Sequence, residues 1–249
     1  MFSQSLNFIK KLKRSFFPFY KNKDLKFIFK KLQDGVPKER VAARFVGGCV
    51  RKYLSNEKID DIDIATILTT DQIREKFKDT NLKIVETGIK HGTVTLVSDD
   101  HKVELTTLRK DISTDGRHAS VVFTNDWEED SQRRDFTFNS IYCDTDGHLA
   151  DPNKGINDLL QKNVRFIGDP NRRIKEDYLR ILRFFRFSLE ISNSVDKEMS
   201  FLCEKHFKNL KSLSFERRMK ETERILLNNN LNKKEIILSL QKLLECTFE

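Results

Sequence analysis

The stretch IDDIDIAT, residues 59–66, puts Asp61 and Asp63 at alternate positions of a run whose partners Ile62 and Ile64 are apolar. Successive side chains of an extended strand point to opposite faces, so the two carboxylates face one spot while the isoleucines face a core. Like charges held that close repel unless a cation sits between them, and all-oxygen ligation favours Mg²⁺ or another hard ion. The bland alternative is a solvated acidic turn that includes Asp60; the alternation favours the metal. Glu104, flanked by Val103 and Leu105 in VEL, projects from the face opposite its apolar neighbours and is a candidate third carboxylate.

Gly47 and Gly48 stand where a strand gives way to a helix, a place where bare backbone can approach phosphate oxygens and helix N–H groups point at them. Arg51, one turn into that helix, is placed to reach a triphosphate, although a solvated helix arginine would read the same. RKDISTDGRHA (109–119) reads as a charged glycine-containing loop, and RRDFTFNS (133–140) sets Arg133 and Arg134 just before an expected strand. Each alone would read as surface. A helix expected to begin at Glu176 gathers Tyr178, Ile181, Leu182 and Phe185 on one side and winds Asp177, Arg180, Arg183 and Arg186 around the other. Like charges at such spacing cost about 0.2–0.5 kcal/mol per pair, which a bound anion offsets; the alternative is a solvated face.

The elements that must hold these residues divide by period. From residue 41 to about 150, ARFVGG, DIDIATIL, LKIVETG, GTVTLVSD, KVELTTL, FNSIYCD and GHLAD alternate like strands, with TTDQIREKF helical between them. This half reads as a mixed α/β sheet domain. After Asp151 the helical period takes over in KGINDLLQK, KEDYLRILRFFRFSLE, SVDKEMSFLCEKHF, SFERRMKETERILLN and KKEIILSLQKLLE, a bundle over 151–249. FSLEISNSV (187–195) and NNNLNKK (228–234) read as polar breaks. Residues 1–40 form a basic N-terminal helical segment, whose first 31 residues carry nine Lys/Arg and one acid. The favoured reading is a lysine-rich amphipathic helix packed beside the sheet domain; a presequence, a membrane-surface helix or an RNA-touching arm are the alternatives.

With 38% apolar residues the 249-residue chain has ample core and is not a disordered one. Its net charge of +8 fits a polyanionic partner, though by itself it speaks of solubility and non-specific attraction. Cys49, Cys143, Cys203 and Cys246 are too scattered for zinc or a redox dithiol and suit a reducing cytosol. No apolar run is long enough to span a bilayer.

Taken in order, GGCVR, IDDIDIAT, VELTTLRKD, TDGRHA, RRDFTFNS, DPNKGINDL, RFIGDPNRRIKEDYLRILRFFRF and SFERRMKE resemble the motifs of the class II tRNA nucleotidyltransferases, the CCA-adding enzymes, and their poly(A) polymerase relatives. The resemblance covers about residues 40–225. It implies an α+β fold: a DNA polymerase β-like catalytic head over 41–150, then an all-α neck over 151–249 that reads the incoming nucleotide, with body and tail regions absent. It implies two Mg²⁺ ions on Asp61 and Asp63 with Glu104 beside them, CTP and ATP as substrates, and the tRNA 3′ end as partner. Gly47, Gly48 and Arg51 would meet the triphosphate, and Arg134 with Arg133 the nucleotide. Asp177 and Arg180 would read the base edge, with Arg183 and Arg186 lending charge to the phosphates. The family's GGxVRD has Lys52 here in place of its acid. The activity implied is CCA addition; a poly(A) polymerase, a CC- or A-adding enzyme and a retired RNA-binding remnant are the alternatives.

Overall fold

A computed structural model describes residues 22–88, 91–98, 101–114, 119–192, 196–228, 241–243 and 245–246. The N-terminal residues 1–21 and most of KKEIILSLQKLLE lie outside that set. The architecture is mixed α/β, and the chain falls into two compact units. The first comprises the described residues up to Lys110 with Val121–Arg134 and Phe138–Gly155; the second comprises Asp111–Ser120, Asp135–Thr137 and the residues from Ile156 onward.

The first unit is built on a seven-stranded sheet in the order β3-β4-β5-β2-β1-β8-β9. Its strands are β1 (Ala43–Val46), β2 (Ile62–Thr66), β3 (Lys83–Gly88), β4 (Thr93–Val97), β5 (Lys102–Thr107), β8 (Tyr142–Cys143) and β9 (Leu149–Ala150). β2 and β5 run parallel, and their register sets Asp63 opposite Glu104 while Ile62 and Ile64 meet Val103 and Leu105. Val46, Ala65, Leu108 and Tyr142 form a buried cluster, closed by Ile67, Trp127 and Ala150.

Helix α1 (Lys23–Gln33) buries Leu25, Ile28, Phe29 and Leu32, the i, i+3, i+4, i+7 spacing of a single helix face. Asn22 caps it by accepting the Leu25 N–H, and Phe29 packs on Phe45 with ring centroids 4.5 Å apart. Over these residues the lysine-rich amphipathic helix is present as expected. Helix α2 (Gly48–Leu54) follows β1 directly. Helix α3 (Thr70–Phe77) starts in a capping box made by Thr69 and Gln72.

Two expectations fail here. The segment read as a loop over 109–119 is for the most part a two-stranded ribbon, β6 (Arg109–Thr114) with β7 (Ala119–Phe123), residues 115–118 lying outside the described set. Arg133 and Arg134 do not lead into a strand: they follow α4 (Trp127–Gln132) and precede a 3₁₀ turn at Thr137–Asn139.

The second unit is helical, with α5 (Gly155–Gln161), α6 (Pro170–Glu176), α7 (Leu179–Glu190), α8 (Lys197–Glu204) and α9 (Phe215–Leu226). The single helix expected from Glu176 is interrupted, because Asp177 is extended at φ −156° and α7 begins only after Tyr178. The polar break expected from residue 187 comes later, since α7 runs to Glu190 on the buried side chains of Phe187 and Leu189. The core is aromatic: Phe136 packs on Phe166 at 4.6 Å and meets Phe187 edge-on at 5.2 Å, and Phe185 meets Phe207 at 5.9 Å. Among the described residues no helix is long and apolar enough to cross a membrane.

Phe187 is buried and carries the Arg186 guanidinium 4.0 Å above its ring. Phe187→Ala should therefore cost about 3–5 kcal/mol in denaturant unfolding, against less than about 0.5 kcal/mol for Phe201→Ala on the exposed side of α8.

Candidate active site

Asp63 lies at the second position of β2, and Asp61 immediately precedes that strand. The Asp63 carboxyl is pushed up to about 6 by burial first and then by Glu104; Arg134 pulls it the other way, ahead of the smaller upward push of Asp61 and the still smaller downward pull of Arg51. The three predicted carboxylates and two of the predicted arginines thus act on one point. An anion destabilised by burial and by two neighbouring carboxylates, which offer oxygen ligands, fits a divalent hard cation. A separate group, Asp144, Asp146 and His148 in the β8–β9 turn, has ligand atoms within 4.8 Å of one another, but His148 already pairs with Asp146 at 2.9 Å.

Gly47 has φ +73° and ψ −132°, a conformation that side chains rarely adopt, and a Cβ built there would lie 3.5 Å from Asp63 Oδ2. The turn that opens α2 is therefore tight against the carboxylate, with Gly48 the first helical residue. Arg51 is buried; it donates to Asn139 Oδ1 and lies over the Phe138 ring at 5.9 Å. Lys52, where the family pattern has an acid, pairs with Asp60 at 2.5 Å, which gives the first aspartate of the acidic run a local partner.

The two arginines of RRDFTFNS converge on an acid that the sequence reading passed over. Asp130 is 0% exposed and accepts from Arg133 Nε (2.8 Å), Arg134 Nη2 (3.0 Å), the Tyr142 hydroxyl (2.7 Å) and the Arg109 N–H (3.2 Å). Burial opposes its ionisation, yet Arg134, Arg133 and the Tyr142 hydroxyl together hold its carboxyl well below the usual range. The signal was local: Asp130 stands three and four residues before the arginines, helix-neighbour spacing.

In the second unit Asp177 occupies the extended break between α6 and α7. Its Oδ1 accepts the Leu179 N–H at 3.1 Å and its Oδ2 accepts from Arg217 Nη2 at 2.8 Å. Arg180 donates to Glu176 Oε2 (2.9 Å) and to the Arg173 carbonyl (2.7 Å). Glu176 also takes Arg173 and Arg172, and its carboxyl stays below the ordinary value although burial opposes this. The arginine series on α7 is neutralised mostly from other elements: Arg183 by Asp135 and Glu221, and Arg186 by Glu221 together with Glu190 one turn along α7 itself. The anions sought in a ligand are, for these two residues, supplied by the protein.

A family profile described as the Poly A polymerase head domain matches residues 43–165. Human mitochondrial CCA tRNA nucleotidyltransferase 1 is 42% identical over 207 residues, 82% of this chain and 48% of the relative. The CCA-adding enzyme of Leuconostoc citreum is 38% identical over 74% of this chain and 45% of its own length. Among solved structures, the Bacillus stearothermophilus CCA-adding enzyme in complex with CTP superposes with a TM-score of 0.72 at 32% identity, covering 89% of this chain and 51% of that one. The chain belongs to the tRNA nucleotidyltransferase and poly(A) polymerase family. The seven-stranded sheet is its DNA polymerase β-like head fold. This member of the family spans about half the length of the curated relatives it matches.

Asp130→Asn should lower stability at neutral pH by on the order of 3 kcal/mol, the handicap of buried arginines left without their counter-charge. Because the folded carboxyl sits below its ordinary value, its contribution is complete above that value and is lost only as pH falls through the folded one. Thermal unfolding should show the deficit of the variant holding from pH 7 down to about pH 4 and closing only in stronger acid.

Proposed function

We propose that this chain is a template-independent RNA nucleotidyltransferase that adds CMP, CMP and AMP to tRNA 3′ ends from CTP and ATP. The observation that carries the reading is the pairing of Asp63 with Glu104 across β2 and β5, with the Gly47 turn against the Asp63 carboxylate. The relatives named for CCA addition support the choice of reaction.

Asp61 and Asp63 would hold divalent ions, two Mg²⁺ on the family pattern. Bound there, the metal supplies charge neutralisation on the transferring phosphoryl group and activates the attacking 3′ oxygen. The chain's own residues do the positioning. The Gly48 amide at the start of α2, with Gly47 allowing close approach, would receive triphosphate oxygens. Arg51, oriented by Asn139, adds charge there. Arg134 and Arg133, held in place by Asp130, would contact the nucleotide, where fixed orientation matters more than added charge. Phosphoryl transfer asks the protein chiefly for such positioning.

Asp177 and Arg180 would read the base. A carboxylate only accepts and a guanidinium only donates, so the pair matches the amino group and adjoining ring nitrogen of C or A, whereas U and G present a carbonyl at the same place. Arg183 and Arg186, neutralised by Glu221, Asp135 and Glu190, we assign to holding α7 and α9 together and only indirectly to the phosphates.

The deciding assay supplies tRNA lacking its 3′ terminus with CTP, ATP or both under Mg²⁺. Addition of CC from CTP alone and CCA from both is expected; AMP runs from ATP alone would mean a poly(A) polymerase. Asp63→Ala should abolish incorporation while keeping the fold, and near-parental CMP addition by that variant would sink the metal assignment. Asp177→Ala should raise UTP and GTP use relative to CTP and ATP, by a discrimination loss of about 1–3 kcal/mol. Unchanged selectivity with slower CMP addition would leave Asp177 as a helix cap alone.

A further inference from the structure

Asp177 is the proposed base reader, yet it belongs to neither neighbouring helix. It lies between α6 and α7 with extended backbone, and its side chain keeps 27% of its surface exposed. A carboxylate in that setting would rotate among several orientations, each presenting its lone pairs differently. Two contacts prevent this. The Leu179 N–H fixes Oδ1 from the start of α7, and Arg217, the third residue of α9, fixes Oδ2 at 2.8 Å. Each oxygen is engaged once and retains a further acceptor site, so the carboxylate can take the amino group of a base without releasing either partner. Among the described residues the ion pair of Arg217 is with Asp177, whereas Glu221, one turn further along the same helix, serves Arg183 and Arg186.

We infer that Arg217 is a specificity-determining positioning residue: by holding Oδ2 while the Leu179 N–H holds Oδ1, its guanidinium fixes the plane of the Asp177 carboxylate, so that only a base edge offering an amino group is accepted. The inference rests on the base-reading role proposed for Asp177. A planar fork can set a carboxylate plane where a lysine ammonium cannot, so shape and charge separate experimentally.

The experiment measures kcat/KM for CTP and UTP on tRNA lacking its 3′ terminus, with thermal unfolding in parallel, for Arg217→Met, Arg217→Lys and Asp177→Ala. Arg217→Met should raise the UTP-to-CTP ratio by about fivefold to tenfold, the low end of what a lost bidentate base contact costs. Arg217→Lys, which keeps the charge, should recover part of that ratio at an unfolding midpoint close to the parent's. Loss of selectivity in Asp177→Ala but not in Arg217→Met, even where the midpoint of Arg217→Met falls, would overturn the role of Arg217 and leave a helix-docking ion pair. Selectivity retained in Asp177→Ala would instead overturn the base-reading role itself, and that of Arg217 with it. If Arg217→Met does not fold, the Arg217→Lys ratio decides: a parental ratio overturns a role in setting the plane, and an intermediate one supports it.

Discussion

Asp130 keeps a negative charge where none of its side chain is exposed, and much of the first unit is arranged to let it do so. Two guanidiniums, a phenol and a backbone N–H end on its two oxygens, tying α4, the start of β6 and strand β8 to one atom group. A buried carboxylate is tolerable only with that degree of pairing, and removing any donor leaves the rest uncompensated. The pairing also fixes Arg134 close enough to Asp63 to affect its ionisation. Stability and the electrostatics of the candidate site therefore share a residue: Arg134, which helps satisfy the buried charge of Asp130, also lowers the cost of ionising Asp63.

The helical unit solves a similar problem with more charges. Arg180, Arg183 and Arg186 follow one another along α7, and Arg180 and Arg186 are buried. Each is matched by an acid, Glu176 in the preceding helix for Arg180, and Asp135, Glu190 and Glu221 for the others. Glu221 serves two arginines from α9, so the docking of that helix is specified by charge as well as by packing. Burying ion pairs in this way adds little net stability, but it disfavours any alternative packing in which one charge loses its partner.

The class of fold and the pairing of the candidate carboxylates Asp63 and Glu104 were legible because both are written in short periods. Alternation in IDIAT and VEL placed Asp63 and Glu104 on one face, and the parallel register of β2 with β5 puts them side by side. The ribbon over 109–123 was missed because its strands are held by pairing with each other and carry no apolar alternation on the charged side. Asp130 was readable from its spacing to Arg133 and Arg134, but an acidic WEEDSQ helix looks like a solvated face until burial is known. Glu176 and Glu190 stand four residues from Arg180 and Arg186, but Glu221 and Arg217 were beyond local reading, since the docking of α9 brings them to Arg183, Arg186 and Asp177 and no spacing along α7 encodes it.

The pairing of Asp63 with Glu104 also says which sequence changes this head can absorb. The two carboxylates come from strands joined through α3, β3 and β4, and what brings them together is the parity of β2 against β5, not the length of the chain between. Loops in that interval can lengthen or shorten at little cost to the site. A single residue gained or lost inside β5 would turn Glu104 to the opposite face and bring an apolar neighbour to Asp63. Insertion and deletion are thus tolerated in the connections and barred from two short strands: what the head must keep is a register, not a chain length.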